Sequence, residues 1–321
     1  MTLQEMIARL NEYWGAQGCA IVQPYDIEVG AGTMHPETVL RSLGPHPASV
    51  AYVQPSRRPA DGRYTLNPMR SQRYYQYQVL IKPSPTNIVD LYIGSLEVLG
   101  FDMSKNDFRL VEDDWEAPSL GASGVGWEVW LDGAEITQFT FFQQMGGIEC
   151  RPVCAEITFG LERLCLLLNK QNSFWTELEW RPGLSYRTME WEAEMQNNVY
   201  NFEVADVPML FKQFEVYESE SKRVIETPVY WDASQGVATT TPTGDEWPTE
   251  AGPQALVYPA LDLALHASHV FNLLDARGAL GASERGHYIN RIRARVRAAC
   301  LKYVEAFAPD RDQGPAKRSA A

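Results

Sequence analysis

The sequence lacks any long hydrophobic run. No stretch approaches the roughly 18 consecutive apolar residues that a membrane-spanning helix needs. The N-terminal residues, MTLQEMIARL, also lack the basic region and apolar segment of a signal peptide. These absences predict a cytoplasmic protein that does not enter a membrane.

Cysteines are few, odd in number and widely spaced, which argues against a disulfide framework. The five are Cys19, Cys150, Cys154, Cys165 and Cys300. Cys150 and Cys154 are spaced so that they could supply two zinc ligands, but a structural zinc site needs four, and the sequence has no matching pair. We therefore expect reduced thiols rather than a zinc site.

Basic residues are outnumbered, since 28 Lys and Arg stand against 41 Asp and Glu and give a net charge of −13. A chain that holds nucleic acid tightly by itself usually presents a basic face that neutralises phosphates and releases counterions. If nucleic acid is a substrate, much of the binding surface must therefore belong to another molecule.

The 321 residues suit one large domain with a smaller appendage. Two β-like runs, Ala51–Gln54 and Tyr74–Ile81, flank a segment rich in Pro, Gly, Asp and Asn, which predicts a long hairpin. Four arginines lie within 14 positions of its loop: Arg57, Arg58, Arg63 and Arg70. Guanidinium groups suit bidentate binding of phosphate or carboxylate, so the loop indicates an anionic ligand. The alternative is a solvated hairpin tip.

The second strand of this hairpin favours the ligand interpretation. Side chains of a strand alternate between its two faces, so counting from Arg70 places Tyr74, Gln76 and Gln78 on one side with that arginine. A strand with a purely structural role would rarely carry an aromatic residue and two amides in line with a cation.

Helices are predicted on both sides of the hairpin. Residues 2–17 carry apolar side chains at helical spacing, and Thr2 with Glu5 forms a capping box. A short strand, Cys19–Gln23, follows. After the hairpin, residues 88–99 have helical apolar spacing and end at Gly100, a residue suited to the position after a helix.

The middle of the chain is predicted to form strands, with an acidic patch and a glycine-rich connector between them. Phe108–Val111 predicts a strand, and four carboxylates follow it around Trp115. Carboxylates this close repel one another unless a metal ion or an arginine lies among them, although a solvated loop is an equal alternative. Gly121–Gly126 is interpreted as a connector, since it lacks the ending of a phosphate-binding loop.

Two further strands, Trp127–Leu131 and Glu135–Gln143, are joined by an Asp-Gly turn. The segment EITFGLERLCLLLNK then combines a short strand, a break at Gly160 and an apolar helix, Leu161–Asn169. Arg163 lies in the first turn of that helix, where the helix dipole disfavours a cation. We therefore expect Arg163 to meet a negative group at that helix end, and a bound phosphate fits.

These patterns resemble motifs 2 and 3 of the class II aminoacyl-tRNA synthetases, and the opening helix and strand resemble motif 1. The phrases VQPSRRPADGRY, VLIKPSP, GWEVWLDGAEITQFTFFQQMGG, EITFGLERL, YNFEVADV and FNLLDAR resemble the α subunit of the bacterial heterotetrameric glycyl-tRNA synthetases. The match spans roughly residues 3–225 and 258–300, which is most of the chain.

The resemblance implies an α+β fold, a class II antiparallel β-sheet flanked by helices, with a mostly helical C-terminal part. It implies an enzyme of α2β2 composition that uses ATP and Mg²⁺ to activate glycine and charges tRNA(Gly). In such an enzyme the α chain carries the adenylation site, and a separate β chain does most of the tRNA binding. The acidic composition agrees with that division.

The resemblance also implies roles for individual residues. Arg57 matches the motif 2 arginine that grips the α-phosphate and the amino-acid carboxylate, with Arg58 as an alternative for the same role. Arg70 and Tyr74 match the later arginine and the adenine-facing aromatic residue, and Arg163 matches the arginine on the distal phosphates. The expected ATP site is therefore Arg57, Arg58, Arg70, Tyr74 and Arg163, with Arg57 and Arg163 catalytic.

The glycine pocket is expected where the sequence departs from the general class II pattern. Glu156 and Thr158 replace two motif 3 glycines, and side chains at these positions would shorten the amino-acid pocket. Gln76, Gln78 and Trp115 are the other expected pocket residues, although Trp115 equally fits the core. Metal ligands are expected at Glu128 and Gln138, while Glu156 could hold a metal ion or the glycine ammonium.

The predicted organisation is a catalytic domain at residues 1–182 and a mostly helical domain at 183–308, with a flexible insertion at 227–256 and a disordered tail at 309–321. The C-terminal helix, 284–307, carries arginines that could touch tRNA or the β chain, or be solvated. Two other functions remain open: a nucleotide-binding regulatory or assembly subunit, and an amino-acid ligase with a non-tRNA acceptor.

Overall fold

A computed structural model describes residues 1–232, 237–239 and 254–307. The first helix, α1 (Leu3–Ala16), begins with the predicted capping box, in which Thr2 and Glu5 each accept a hydrogen bond from the other's backbone N–H. Its apolar stripe is fully buried, because these side chains recur on one helical face and pack under the sheet. The predicted N-terminal helix is confirmed.

The hairpin is also confirmed and is longer than predicted. The short strand β1 (Ala20–Ile21) runs parallel to β2 (Ala48–Arg57), and a short helix, α2 (Pro36–Val39), lies between them. Strand β2 pairs antiparallel with β3 (Arg73–Lys82) in unbroken register from Ala48 opposite Lys82 to Arg57 opposite Arg73. The helix α3 (Ile88–Leu99) then ends at Gly100, whose φ of 104° needs a residue without a Cβ.

The next three strands correct two predictions. Strands β4 (Phe108–Ala117), β5 (Ala122–Leu131) and β6 (Ala134–Met145) form an antiparallel meander. The acidic patch lies inside β4 rather than in a loop, and the glycine-rich segment lies inside β5 rather than in a connector. Gly126 faces the backbone of β6 so closely that a Cβ would collide with the Phe139 carbonyl, which explains glycine in a strand.

The sheet is completed by β7 (Ile148–Glu149) and β8 (Ala155–Gly160), and β8 leads directly into α4 (Leu161–Asn169). The strand order is β1-β2-β3-β8-β6-β5-β4, with β7 paired to β6. All these pairs except β1 with β2 are antiparallel. This order places β8 between β3 and β6. The hairpin and the β8–α4 segment, which resemble motifs 2 and 3, therefore lie side by side.

The remaining described elements are mostly helical. They are β9 (Glu179–Arg181), β10 (Leu184–Ser185), α5 (Tyr186–Val199), a π-helical turn (Tyr200–Val204), α6 (Val207–Glu226), β11 (Pro228–Asp232), β12 (Val237–Thr239), β13 (Gln254–Ala255), α7 (Val257–Ala276) and α8 (Ala282–Phe307). The described parts of the predicted insertion at 227–256 form the three-stranded sheet β12-β11-β13. The rest of that insertion and the predicted tail lie outside the described residues.

Two hydrophobic clusters cover the two faces of the large sheet. One cluster joins α1, α3 and α4 to side chains such as Tyr77 and Phe159. The other joins α6, α7 and α8 to side chains such as Tyr52 and Phe142. The α+β architecture with a helical C-terminal part is therefore confirmed, whereas the division at residue 182 remains a prediction. No helix among the described residues is long and apolar enough to cross a membrane.

The arginines of α8 make contacts within the chain. Arg291 donates hydrogen bonds to Glu215 and Glu218 of α6. Arg293 donates to the Pro118 carbonyl at 2.6 Å, and Arg297 donates to the carbonyls of the Gly146–Gly147 turn. These side chains fasten α8 to α6 and to the sheet.

Candidate active site

An open cavity of about 550 Å³ lies on the sheet face that also carries the C-terminal helices. Its walls come from β3, β6 and β8, from the end of β4, from the start of α4 and from residues 58–72, here named the arginine loop. The cavity brings together nine of the twelve site residues predicted from the sequence: Arg58, Arg70, Tyr74, Gln76, Trp115, Gln138, Glu156, Thr158 and Arg163.

The polar face of β3 is turned toward this cavity. Tyr74, Gln76 and Gln78 alternate with core residues along the strand, as predicted, while Arg70 precedes the strand rather than belonging to it. Gln78 pairs in register with Thr158 of β8, and Thr158 pairs with Gln138 of β6. Residues in register share a face of the sheet, so a row of polar side chains crosses the sheet under the cavity.

Glu156 forms the floor of the cavity and is only 1% exposed. Its Oε1 accepts hydrogen bonds from Thr33 Oγ1 at 2.6 Å and from the amide of Gln78, whose own Oε1 accepts from Thr158 at 2.8 Å. Burial raises the pKa of Glu156 to about 7, although the two donors favour the carboxylate. Its Oε2 is buried and has no hydrogen-bond partner among the described residues, so the floor offers a buried acceptor to a ligand.

The segment before α2 closes the cavity from the side and contributes Thr33, which the sequence analysis missed. The Gly32 N–H donates to Gln76 Oε1 at 2.8 Å, and Ser56 donates to the same oxygen at 3.1 Å. A Cβ on Gly32 would lie 2.6 Å from Gln78 Oε1, so only glycine permits this approach. The run GAGT, which precedes no phosphate-loop lysine, was the available signal for such a close backbone contact.

The arginine loop brings Arg58 rather than Arg57 to the cavity. The Arg58 guanidinium lies 5.1 Å from the centre of the Tyr74 ring, and its Nε donates to the Gly30 carbonyl at 3.0 Å. Strand register separates the two arginines, because Ser56 is the partner of Tyr74 whereas Arg57 is the partner of Arg73, so the Arg57 side chain is not in line with Tyr74.

Arg57 is not among the cavity-lining residues. Its charge acts instead on His269 of α7, whose pKa falls to about 4 because the imidazole is buried and because Arg57 also disfavours a second cation. The Arg57 N–H donates to the Val29 carbonyl at 2.8 Å, which fixes the end of β2 against the segment that leads to Thr33.

Arg163 lies at the start of α4, and the negative group expected beside it includes a side chain of the protein. Its Nη1 is 2.8 Å from the Glu135 carbonyl oxygen and 3.2 Å from Glu135 Oε2. Nearly half of the Arg163 side chain remains exposed to the cavity mouth. The guanidinium is therefore held by one carboxylate while keeping donors for an anionic ligand.

Glu162, the neighbour of Arg163, is a buried structural carboxyl. It accepts hydrogen bonds from the Tyr75 N–H at 2.9 Å and from the Tyr186 hydroxyl at 3.0 Å. Burial raises the pKa of Glu162 to about 7. These bonds tie the start of α4 to β3 and to α5, so the helix that carries Arg163 is fixed relative to the arginine loop.

A β-bulge sets which side chains of β6 face the cavity. Val129 pairs with Thr137 while the next residue of β5 pairs with Glu135, so Ile136 is an extra residue in β6. Without it, Glu135 and Gln138 would lie on opposite faces of the strand; with it, both line the cavity. Ile136 also borders the cavity, and its side chain is buried in the hydrophobic cluster that contains Phe139.

Glu128, a predicted metal ligand, lies outside the cavity lining. It is the register partner of Gln138, but its Oε2 accepts a hydrogen bond from the Trp130 indole at 3.0 Å. Gln138 donates instead to Asp113 at 2.9 Å. In the described ranges no group of three or more His, Cys, Asp or Glu side chains could hold a metal ion.

Trp115 fits both interpretations that the sequence left open. It lines the cavity at the end of β4, and its ring lies 5.5 Å from the Phe142 ring, against the core that β6 shares with the C-terminal helices. Gln78 lies beneath the cavity wall rather than in it, where it orients Glu156 and Thr158.

Comparison with known proteins shows which family model matches this chain. A family model described as glycyl-tRNA synthetase alpha subunit matches residues 3–308. A solved structure of PylSc, a pyrrolysyl-tRNA synthetase of Desulfitobacterium hafniense, is similar at 14% identity and a TM-score of 0.39, over 57% of this chain and 74% of that one. A second structure of pyrrolysyl-tRNA synthetase from the same organism is similar at 13% identity and the same TM-score, over 57% of this chain and 76% of that one.

Proposed function

Since the chain belongs to the glycyl-tRNA synthetase alpha subunit family, we propose that it activates glycine with ATP in the cytoplasm and transfers the glycyl group to tRNA(Gly). Membership makes the chain part of a tRNA synthetase, a ligase of protein biosynthesis, and the alpha subunit family implies a β partner. The proposed assembly is α2β2, with most tRNA contacts on the β chain. This division suits an α chain of net charge −13.

The observation that carries this proposal is the polarity of the cavity. Arginines stand at its rim, where Arg58, Arg70 and Arg163 line the walls, and a buried carboxyl, Glu156, forms its floor. A triphosphate complements the rim, and the ammonium group of a small amino acid complements the floor. The cavity-lining residues all fall between positions 31 and 174, which supports adenylation by the proposed domain 1–182.

In the proposed reaction a carboxylate oxygen of glycine attacks the α-phosphorus of ATP. The new bond is an acyl–phosphate bond, and the bond between the α-phosphorus and the bridging oxygen breaks, so pyrophosphate leaves with that electron pair. The nucleophile is already ionised, so the site needs no general base. Holding two anions in line is the main task, and positioning of this kind can contribute about 7–11 kcal/mol.

We assign the ATP contacts to the arginine loop and to α4. Arg58, stacked on Tyr74, grips the α-phosphate in place of Arg57, and Tyr74 meets the adenine. Arg70 and Arg163 bind the phosphates that leave as pyrophosphate, since both keep about half of their side chains exposed at the cavity. Preorganised cations stabilise the charge that builds up as the bond breaks.

Glu135 and Gln138 would hold the Mg²⁺ that accompanies ATP. The fit rests on chemistry and direction, because the bulge in β6 turns two oxygen-bearing side chains toward the phosphate end of the cavity, and Mg²⁺ prefers oxygen ligands. When bound, the ion would neutralise phosphate charge. Glu135 also orients Arg163, so one carboxylate would serve both cations.

Selection of glycine follows from the crowded floor. The side chains of Thr158 and Trp115 line the cavity with Glu156, and we propose that they limit the space for the side chain of a bound amino acid. A larger amino acid would be excluded by collision, which discriminates better than the roughly 1–3 kcal/mol available from a missing methylene.

Glycine-dependent exchange between ATP and pyrophosphate, measured on the α chain with its β partner, tests the proposal. We expect exchange with glycine and not with alanine. Arg163→Ala should abolish it without unfolding the protein, whereas Arg109→Ala, which removes an exposed pair with Asp107 on β4, should leave it unchanged. Equal exchange with alanine would refute the glycine pocket, and exchange without charging of tRNA would favour a ligase with another acceptor.

A further inference from the structure

Helix α5 carries a buried polar stripe, Glu190, Glu194 and Asn198, at successive intervals of four residues. These side chains are 8%, 3% and 0% exposed, although Glu and Asn usually face solvent on a helix. A buried polar group is costly unless its hydrogen bonds are made, so each of the three should have partners that matter to the fold or to the site.

Asn198 and Glu194 hold the middle and the C-terminal end of the arginine loop. Asn198 Oδ1 accepts from the Tyr64 N–H at 3.1 Å, and Glu194 Oε1 accepts from the Gln72 N–H at 2.9 Å. Asn198 Nδ2 also donates to Glu194 Oε1 at 2.8 Å, which joins the two anchors into one unit. One turn of α5 therefore fixes two backbone amides that lie eight residues apart in the loop.

Glu190 extends the stripe to β3. Its Oε1 accepts from the Tyr75 hydroxyl at 2.6 Å, and Arg73 lies 3.7 Å from its Oε2. The stripe thus follows the loop from its middle into the strand that bears Tyr74.

The conformation of the loop needs such anchors. Tyr64 and Thr65 have φ angles of 51° and 59°, a left-handed conformation that residues with a Cβ adopt at a cost. Further bonds hold the same turn, from the Tyr64 hydroxyl to Glu203 at 2.6 Å and from the Trp191 indole to Thr65 at 3.0 Å. Gly62 lies so close to Asn198 that a Cβ would overlap its Oδ1.

We infer that Asn198 is a positioning residue that sets the affinity for ATP by holding the arginine loop in its binding conformation. The Arg70 side chain is about half exposed, and its described ion pair is a long one of 3.9 Å to Asp61, so the course of the backbone largely determines where its guanidinium lies. Preorganising such a loop improves binding because less conformational entropy is lost when the ligand arrives. The inference rests on the proposed role of this loop in binding ATP.

The inference predicts different effects on the binding of ATP and on the binding of glycine. Glu156 and Thr158 belong to β8 and do not depend on the anchors of α5, so loss of Asn198 should weaken ATP binding and leave glycine binding intact. A residue that only stabilised the fold would lower the amount of active enzyme and leave both KM values unchanged.

The test compares Asn198→Ala with Asn197→Ala. Asn197 is the neighbouring residue on α5 and donates to the Ala193 carbonyl at 2.7 Å, as Asn198 donates to the Glu194 carbonyl at 2.6 Å. The control therefore loses the same bond within the helix but no bond to the loop. In ATP–pyrophosphate exchange by the α chain with its β partner, we expect Asn198→Ala to raise the KM for ATP about three- to tenfold, with the KM for glycine unchanged.

An unchanged KM for ATP in Asn198→Ala, or an equal rise in Asn197→Ala, would overturn the inference. If the wild-type protein shows no glycine-dependent exchange, the proposed function fails, and titration calorimetry with ATP on the same variants still tests the anchor. In that measurement, equal ATP affinities of the wild type and Asn198→Ala overturn it.

Gly62→Ala tests the same contact from the loop and covers the case in which Asn198→Ala does not fold. Gly62 has a φ of −53°, which alanine adopts freely, so the added methyl group acts by displacing the loop from Asn198 and Phe202. We expect a raised KM for ATP and faster amide hydrogen exchange across residues 62–72. Unchanged ATP affinity and unchanged exchange in Gly62→Ala would contradict the inference.

Discussion

Glu156 is a buried carboxyl group at the floor of the cavity. Its pKa of about 7 in the folded protein lies above the ordinary value of 4.5 because the carboxyl is buried. The folded state therefore binds this proton more tightly than the unfolded chain does. It follows that the contribution of Glu156 to the free energy of unfolding falls as pH rises from about 4.5 to about 7.

The same ionisation should govern glycine binding. Between about pH 5.5 and 8 the glycine ammonium stays protonated, while Glu156 changes from neutral to negative. We therefore expect the KM for glycine, measured by ATP–pyrophosphate exchange, to fall as pH rises through about 7.

Glu156→Gln is the control for this pH dependence, because it keeps the size and the acceptor oxygen but does not ionise. We expect a higher KM for glycine and no step near pH 7. A step of the same size in the variant would mean that another group titrates.

For single residues, the sequence predicted which types of side chain surround the site better than it predicted which individual residues they are. It indicated arginines and amides around an anionic ligand, but it could not separate Arg57 from Arg58, because adjacent residues of one motif differ only in the face they occupy. The register with β3 decides between them. Thr33 was missed because its partner, Glu156, lies 123 residues further along the chain.

Strand β5 was not predicted over its full length, because its glycine content indicated a connector. Its glycines predicted a connector, whereas the structure uses Gly124 and Gly126 inside the strand, where β6 approaches too closely for any Cβ. Likewise, strict alternation along β6 would place Glu135 and Gln138 on opposite faces, and only pairing with β5 reveals the extra residue. Both features depend on the neighbouring strand, which a single sequence does not display.

Gly126→Ala should destabilise the meander, because the added methyl group collides with the Phe139 carbonyl. The expected loss in the free energy of unfolding is about 1–3 kcal/mol, as for overpacked cores. Urea unfolding measures it.

Gly286→Ala provides the matched control, since Gly286 is exposed in α8 and a Cβ there meets nothing within 4 Å. Alanine favours a helix over glycine, so this variant should gain about 0.5–1 kcal/mol. Equal losses in the two variants would show that glycine in β5 is not required by close packing.

At the scale of the whole molecule, the stability of the fold depends on the contacts that attach the C-terminal helices to the sheet. The sequence predicted a C-terminal helix at 284–307 that carries arginines, but it left the partners of those arginines open. Those partners lie far away in the chain: Arg291 meets α6 about 73 residues earlier, and Arg297 meets the Gly146–Gly147 turn about 150 residues earlier. Contacts of such separation are set by the assembled fold.

Arg291→Met should lower the free energy of unfolding by about 1–3 kcal/mol. The side chain is 19% exposed, binds Glu215 and Glu218, and lies over the rings of Phe214 and Tyr288. Its loss leaves two neighbouring carboxylates without their cation.

Arg223→Met removes a comparable pair with Glu220, but that pair is exposed on α6. An exposed pair contributes about 0–1 kcal/mol, so this variant should unfold close to the wild type in the same urea titration. Equal effects of the two substitutions would contradict the attachment of α8 through Arg291.

The buried Oε2 of Glu156 has no donor among the described residues, so a ligand that donates to it should also stabilise the folded protein. A ligand cation that binds this oxygen favours the folded state over the unfolded one by mass action. If the proposed glycine ammonium is that ligand, free glycine should therefore make the protein harder to unfold. Removal of glycine from the solution should then increase the unfolded fraction of the protein.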